Sequence, residues 1–101
     1  MSAGGRARSV ALVTEFLIEM YVSPTDVSVV GHLAECARVA AEELTGHGMP
    51  VRYVRSIFVP EEETCFIFYD ALSAEAAREA ARLARLPFVC VATALATEAD
   101  A

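Results

Sequence analysis

The run Val51-Arg-Tyr-Val-Arg-Ser-Ile-Phe-Val59, the tetrapeptide Pro60-Glu61-Glu62-Glu63 and the run Thr64-Cys-Phe-Ile-Phe-Tyr-Asp70 decide the fold. Both runs are rich in β-branched and aromatic side chains, which fit a pleated surface, and the charged tetrapeptide between them has the composition of a turn. The natural reading is a hairpin. Pro50 marks its start, because proline has no amide hydrogen to give to a strand ladder. The three glutamates form its solvated tip.

Moving outward toward the N-terminus, Val30, Leu33, Ala34, Ala37, Ala40, Ala41 and Leu44 recur at helical spacing as far as Gly46, with Asp26 or Ser28 as the expected cap. Glu35, Arg38, Glu42 and Glu43 fall on the other side of that helix. Before it lies Glu15-Phe-Leu-Ile-Glu-Met-Tyr-Val22, closed by Ser23-Pro24 and read as the first strand. Phe16, Ile18, Met20 and Val22 share one face of this strand, and Leu17, Glu19 and Tyr21 the other. On the C-terminal side Ser73 caps a second helix over Ala76, Ala77, Ala80, Leu83 and Ala84, with Glu75/Arg78 and Glu79/Arg82 on its outer side. Pro87 ends that helix, and Phe88 to Leu95 supplies the fourth strand.

Strand, helix, two hairpin-linked strands, helix and strand make an α+β domain: the ferredoxin-like βαββαβ arrangement, a four-stranded antiparallel sheet with two helices on one face. It spans residues 15–95, between an expected disordered extension at 1–14 and a frayed tail at 96–101. The uncovered face is the informative one. Strict alternation in the second strand sets Val51, Tyr53, Ile57 and Val59 against Val54 and Phe58, and in the third sets Cys65, Ile67 and Tyr69 against Phe66 and Phe68. Whichever set faces away from the helices leaves large apolar groups in water, so the sequence predicts a homodimer through the open sheet face, two sheets packed face to face around a cavity.

Composition narrows the classes. The formal net charge is −6, and all eight basic residues are arginine. No basic stripe is present to release counterions from nucleic acid, which argues against that partner. Although 55% of the residues are hydrophobic, no apolar run nears the roughly 20 residues of a membrane span. The start of the chain also lacks the apolar stretch of a secretory signal, so a cytoplasmic location is expected. Cys36, Cys65 and Cys90 have no CxxC spacing and are expected to be buried thiols rather than a disulfide framework. No GxxxxGK or GxGxxG phosphate-binding loop and no nucleophile elbow occurs.

Tyr69-Asp70-Ala71, then Ser73, Glu75-Ala76, Arg78-Glu79 and Leu86-Pro87, with Glu19 in the first strand, resemble a family of small bacterial ferredoxin-like proteins of unknown function. The resemblance covers roughly residues 15–95. It implies a dimer whose sheets form an α/β barrel and, because the family includes a nickel-binding member, a bound nickel ion. Two positions depart from the pattern. A histidine often follows the Arg-Glu pair in the family, and here Ala80 stands there; a basic residue often follows the strand glutamate, and here it is Met20.

Candidate chemistry centres on a few residues. His32 and Cys36 lie four apart, on one side of a helix, and are the candidate metal ligands with Glu35 close by; the alternative is a boundary histidine beside a small core thiol. His47, between Gly46 and Gly48, reads as a solvated loop residue. Glu19 is the conspicuous carboxylate of an otherwise apolar strand. It either pairs with Arg52 or Arg55, or reaches water, or projects into a dimer cavity as ligand contact or general base. Tyr21, Tyr53 and Tyr69, with Arg55, are the further ligand-binding candidates; the plainer reading of the tyrosines is amphipathic packing in a half-buried sheet.

The leading expectation is therefore a small dimeric protein that binds a ligand or a divalent, nickel-like metal. The alternatives are a cofactor-independent α/β-barrel enzyme of isomerase, cyclase or monooxygenase type, acting on a small aromatic or polyketide-like molecule, and a structural or regulatory interaction module.

Overall fold

A computed structural model describes residues 13–95, so the expected terminal extensions lie almost wholly outside the described residues. Strand β1 (Thr14–Tyr21) leads into helix α1 (Ser28–Gly46), the hairpin of β2 (Val51–Val59) and β3 (Thr64–Ala71), helix α2 (Ala74–Leu83) and strand β4 (Phe88–Ala94). The strands form one sheet in the order β2-β3-β1-β4, every pair antiparallel. This is the ferredoxin-like βαββαβ arrangement expected from the sequence.

The period of two along β1 and β3 divides the molecule. Phe16, Ile18 and Met20 of β1 and Cys65, Ile67, Tyr69 and Ala71 of β3 are buried in one cluster with alanines of both helices. The intervening residues face the other way. Helix α2 buries only alanines, Ala76, Ala77, Ala80 and Ala81, whose single methyl groups let the helix axis approach the sheet closely. Tyr69 spans the layer between sheet and α1, and its hydroxyl donates to the Ala37 carbonyl at 3.2 Å. At the far end of α1 the Thr45 hydroxyl donates to the Val51 carbonyl (2.8 Å) and accepts from the Val51 amide (3.0 Å), joining the helix terminus to the start of β2.

Strict alternation fails in β2, and the cause is a bulge. Tyr53 opposes Tyr69 and Arg55 opposes Phe68, leaving Val54 as an extra residue. One inserted residue reverses every later side chain. Val51, Tyr53, Ser56 and Phe58 thus turn toward the helices, while Arg52, Arg55, Ile57 and Val59 turn away. This corrects the grouping of Tyr53 with Ile57 and Val59. A second bulge at Val89 performs the same reversal in β4, where Phe88 opposes Met20 and Cys90 opposes Glu19.

Local signals hold with two exceptions. Neither Asp26 nor Ser28 caps α1: its cap residue is Val27, without a side-chain bond, and Ser23 instead accepts from the Thr25 amide in a short 3-10 turn over Pro24–Asp26. That turn supplies the redirection that a capping side chain would otherwise mark. On α2, Glu75 reaches Arg82 (3.8 Å), as Glu79 does (3.0 Å), and not Arg78. Ser73 caps α2 as expected, accepting from the Ala76 amide at 3.1 Å. Ser73→Ala is expected to lower the unfolding free energy by about 1 kcal/mol, read from urea denaturation at fixed protein concentration.

Candidate functional site

The face of the sheet away from the helices carries Leu17, Glu19 and Tyr21 from β1, Phe66 and Phe68 from β3, Ile57 and Val59 from β2, and Cys90, Ala92 and Ala94 from β4, in the registers that pair Glu19 with both Phe66 and Cys90. Tyr21 is 65% exposed and Ile57 42%. Nothing within the described chain covers this surface. Its charges are sorted into cross-strand pairs at one end. Arg55 lies over the Phe68 ring, 4.9 Å from the centroid, and extends toward Glu15 at 3.4 Å; Arg52 donates to Asp70 at 2.5 Å. Both expected partners of Glu19 are therefore engaged elsewhere. Glu19 forms no ion pair among the described residues and sits half-buried between Phe66 and Cys90.

The relief of this face is uneven. Strand β3 presents two phenylalanines, whereas β4, beyond the exposed Val89 of its bulge, presents a thiol and two methyl groups. If a flat partner rested on the phenylalanines, it would stand clear of Cys90, Ala92 and Ala94, and the gap would open beside Glu19 and Leu17.

Of the expected ligand-binding set, only Glu19, Tyr21 and Arg55 share this face. Tyr53 and Tyr69 point into the helix-covered layer. Tyr53 donates to Ser56 at 3.2 Å, and burial pushes the Tyr69 phenol well above its ordinary range, which keeps it a hydrogen-bond donor to the helix. Two of the three tyrosines are packing groups because β3 is in phase with the core and the Val54 bulge has not yet reversed β2 at Tyr53. The cysteines also divide: Cys65 is buried and its thiol is pushed up by desolvation, Cys36 is half-buried and Cys90 exposed. The expectation of three buried thiols holds for one. Cys90 beside Glu19 went unnoticed because its cross-strand partner depends on the Val89 bulge, which leaves no signature in the sequence.

The metal candidates occupy the opposite side of the molecule. His32 and Cys36 sit on α1 with Nε2 and Sγ 3.5 Å apart, in a shallow cleft of about 350 Å³ that Glu35, Val39, Glu43 and Arg85 also line. Glu35 is bonded to Arg38, which holds its carboxyl below the usual range. His47 lies in the turn after α1, its Nδ1 donating to the Glu43 carbonyl at 2.8 Å. A larger open cleft of about 880 Å³ runs between α1 and β2, over Ala41, Thr45, Val51 and Tyr53, and is bordered by the Arg38–Glu42 and Arg52–Asp70 pairs. Its charged groups are already partnered.

No family model, curated protein or solved structure matches the chain. The residues present do not fit a nickel site at the family position either. Ala80 is completely buried among core groups, and among the described residues no three His, Cys, Asp or Glu side chains gather where a metal could be held. No helix among them is long and apolar enough to cross a membrane.

Proposed function

We propose that this protein works as a homodimer closed through the open sheet face and holds a small, largely apolar ligand between the two sheets, against Glu19. The observation that carries this reading is Glu19, a half-buried residue without an ion-pair partner among the described residues, on an apolar surface where Arg52 and Arg55 are drawn to Asp70 and Glu15. Four strands at about 4.8 Å spacing and about eight residues at about 3.3 Å rise outline a face of about 500 Å². Two such faces bury about 1,000 Å², near the lower bound for a specific interface. In a two-fold dimer the phenylalanines of β3 supply the contact, and the small side chains of β4 leave the space. Glu19 then offers a hydrogen-bond acceptor at its wall.

The same feature favours an enzyme as the second reading. A carboxylate without an ion-pair partner in an apolar cavity is free to accept a proton from a bound substrate, as a cofactor-independent α/β-barrel enzyme requires. A structural module, in contrast, gains nothing from a lone carboxylate on its docking face.

Native mass spectrometry of the full chain tests this. The expected spectrum is a dimer that retains an added small-molecule mass, with occupancy reduced in Glu19→Gln. A bare monomer would remove the basis of the reading, and a dimer empty of ligand would point to the interaction module.

A further inference from the structure

We infer that His32 and Cys36 form a two-residue clamp on α1 for a zinc-like divalent cation. The site is separate from the sheet face and does not depend on dimerisation. Residues four apart on a helix lie one above the other on the same side, and here the facing atoms are two metal-ligating types, an imidazole Nε2 and a thiol Sγ, hydrogen-bonded to each other at 3.5 Å. That separation has a chemical meaning. A tetrahedral zinc with Zn–N of about 2.05 Å and Zn–S of about 2.3 Å holds its nitrogen and sulfur about 3.6 Å apart. The hydrogen-bonded pair is therefore already close to the separation that the ion requires, and the ion on arrival takes the place of the proton between the two atoms.

The surroundings agree with a cation that keeps water. The two groups open into the shallow cleft on the helix side, so the remaining tetrahedral positions face solvent. Glu43 borders this cleft, as do Arg85 and Glu35, whose carboxylate is held by Arg38. A mixed imidazole and thiolate pair selects a borderline-soft ion of the zinc class over magnesium or calcium, which require oxygen ligands. On binding, the ion takes the imidazole lone pair and the thiolate, and the Cys36 proton passes to solvent.

Zinc titration of the full chain against a chromogenic chelator, repeated with cobalt to read thiolate-to-metal charge transfer, tests the assignment. The wild-type chain is expected to bind one ion per chain and to show the charge-transfer band. Cys36→Ser should abolish the band, and both Cys36→Ser and His32→Gln should weaken zinc affinity by at least about tenfold, the least that loss of a ligand costs when even its supporting groups cost that much. Cys90→Ser should leave both signals intact. Both clamp positions lie on the outer part of α1, and far-UV circular dichroism verifies that the variants fold. No binding by the wild type, undiminished binding in either clamp variant, or loss of the band in Cys90→Ser would each overturn the clamp.

Discussion

Tyr69→Ala is expected to lower the unfolding free energy by about 3–5 kcal/mol, the range for truncating a large buried aromatic. The side chain is fully buried and heads the large groups of the core; it fills the layer between β3 and α1, and its hydroxyl bonds the Ala37 carbonyl. Truncation empties a volume that α1 cannot close, since the helix is already tied to the sheet by the Thr45–Val51 contacts. At roughly 0.05–0.15 kcal/mol per residue, a domain of this size holds about 4–12 kcal/mol in all, so the variant loses a large share of its stability. Tyr69→Phe keeps the ring and should cost only about 1 kcal/mol, the net value of one hydrogen bond. Urea unfolding curves at a single protein concentration measure both. A loss below about 1 kcal/mol in Tyr69→Ala would show that this ring is not the centre of the core.

Phe66→Glu is expected to turn the proposed dimer into a monomer while leaving the fold intact. Phe66 lies on the open face between Ile57 and Glu19, partly exposed in the single chain, so in a monomer a glutamate there meets water. Two-fold symmetry doubles its effect in the dimer. Each copy forfeits burial of the area that the single chain leaves exposed, about 1 kcal/mol at about 25 cal/mol per Å², which over both copies is about 2 kcal/mol before any penalty for confining the new charge beside Glu19. The dimer dissociation constant should therefore rise by at least about tenfold. Sedimentation equilibrium of the wild type and the variant reads this directly. A Phe66→Glu protein that dimerises as tightly as the wild type would place the interface elsewhere.

The two variants differ by one pleat. Phe66 and Tyr69 belong to the same strand and are similar in size, yet one supports the core and the other the proposed interface. Their assignment to opposite faces was legible in the sequence, because β3 alternates without interruption and Cys65, Ile67 and Tyr69 stay in phase. The first strand was legible for the same reason. Helix α2 was equally clear, with Ser73 before it, alanines at helical spacing and Pro87 beyond it.

The candidate site was only partly legible. Glu19 stood out as a carboxylate in an apolar strand, but its surroundings depend on pairings between segments far apart in the chain. Arg52 and Arg55 were its expected partners, and they pair with Asp70 and Glu15. Cys90 became its neighbour only through the register of β4 on β1.

The sequence by itself determined the order and type of the elements, since hydrophobic period, caps and prolines act within a few residues of one another. It also placed His32 and Cys36 on one side of a helix, because residues four apart are neighbours there. Only the tertiary structure decided which face Tyr53 takes, where the two bulges fall and what surrounds Glu19. A bulge is the compromise between two strands whose apolar residues must meet one core. Its position follows from the packing of both strands together, which neither strand encodes alone.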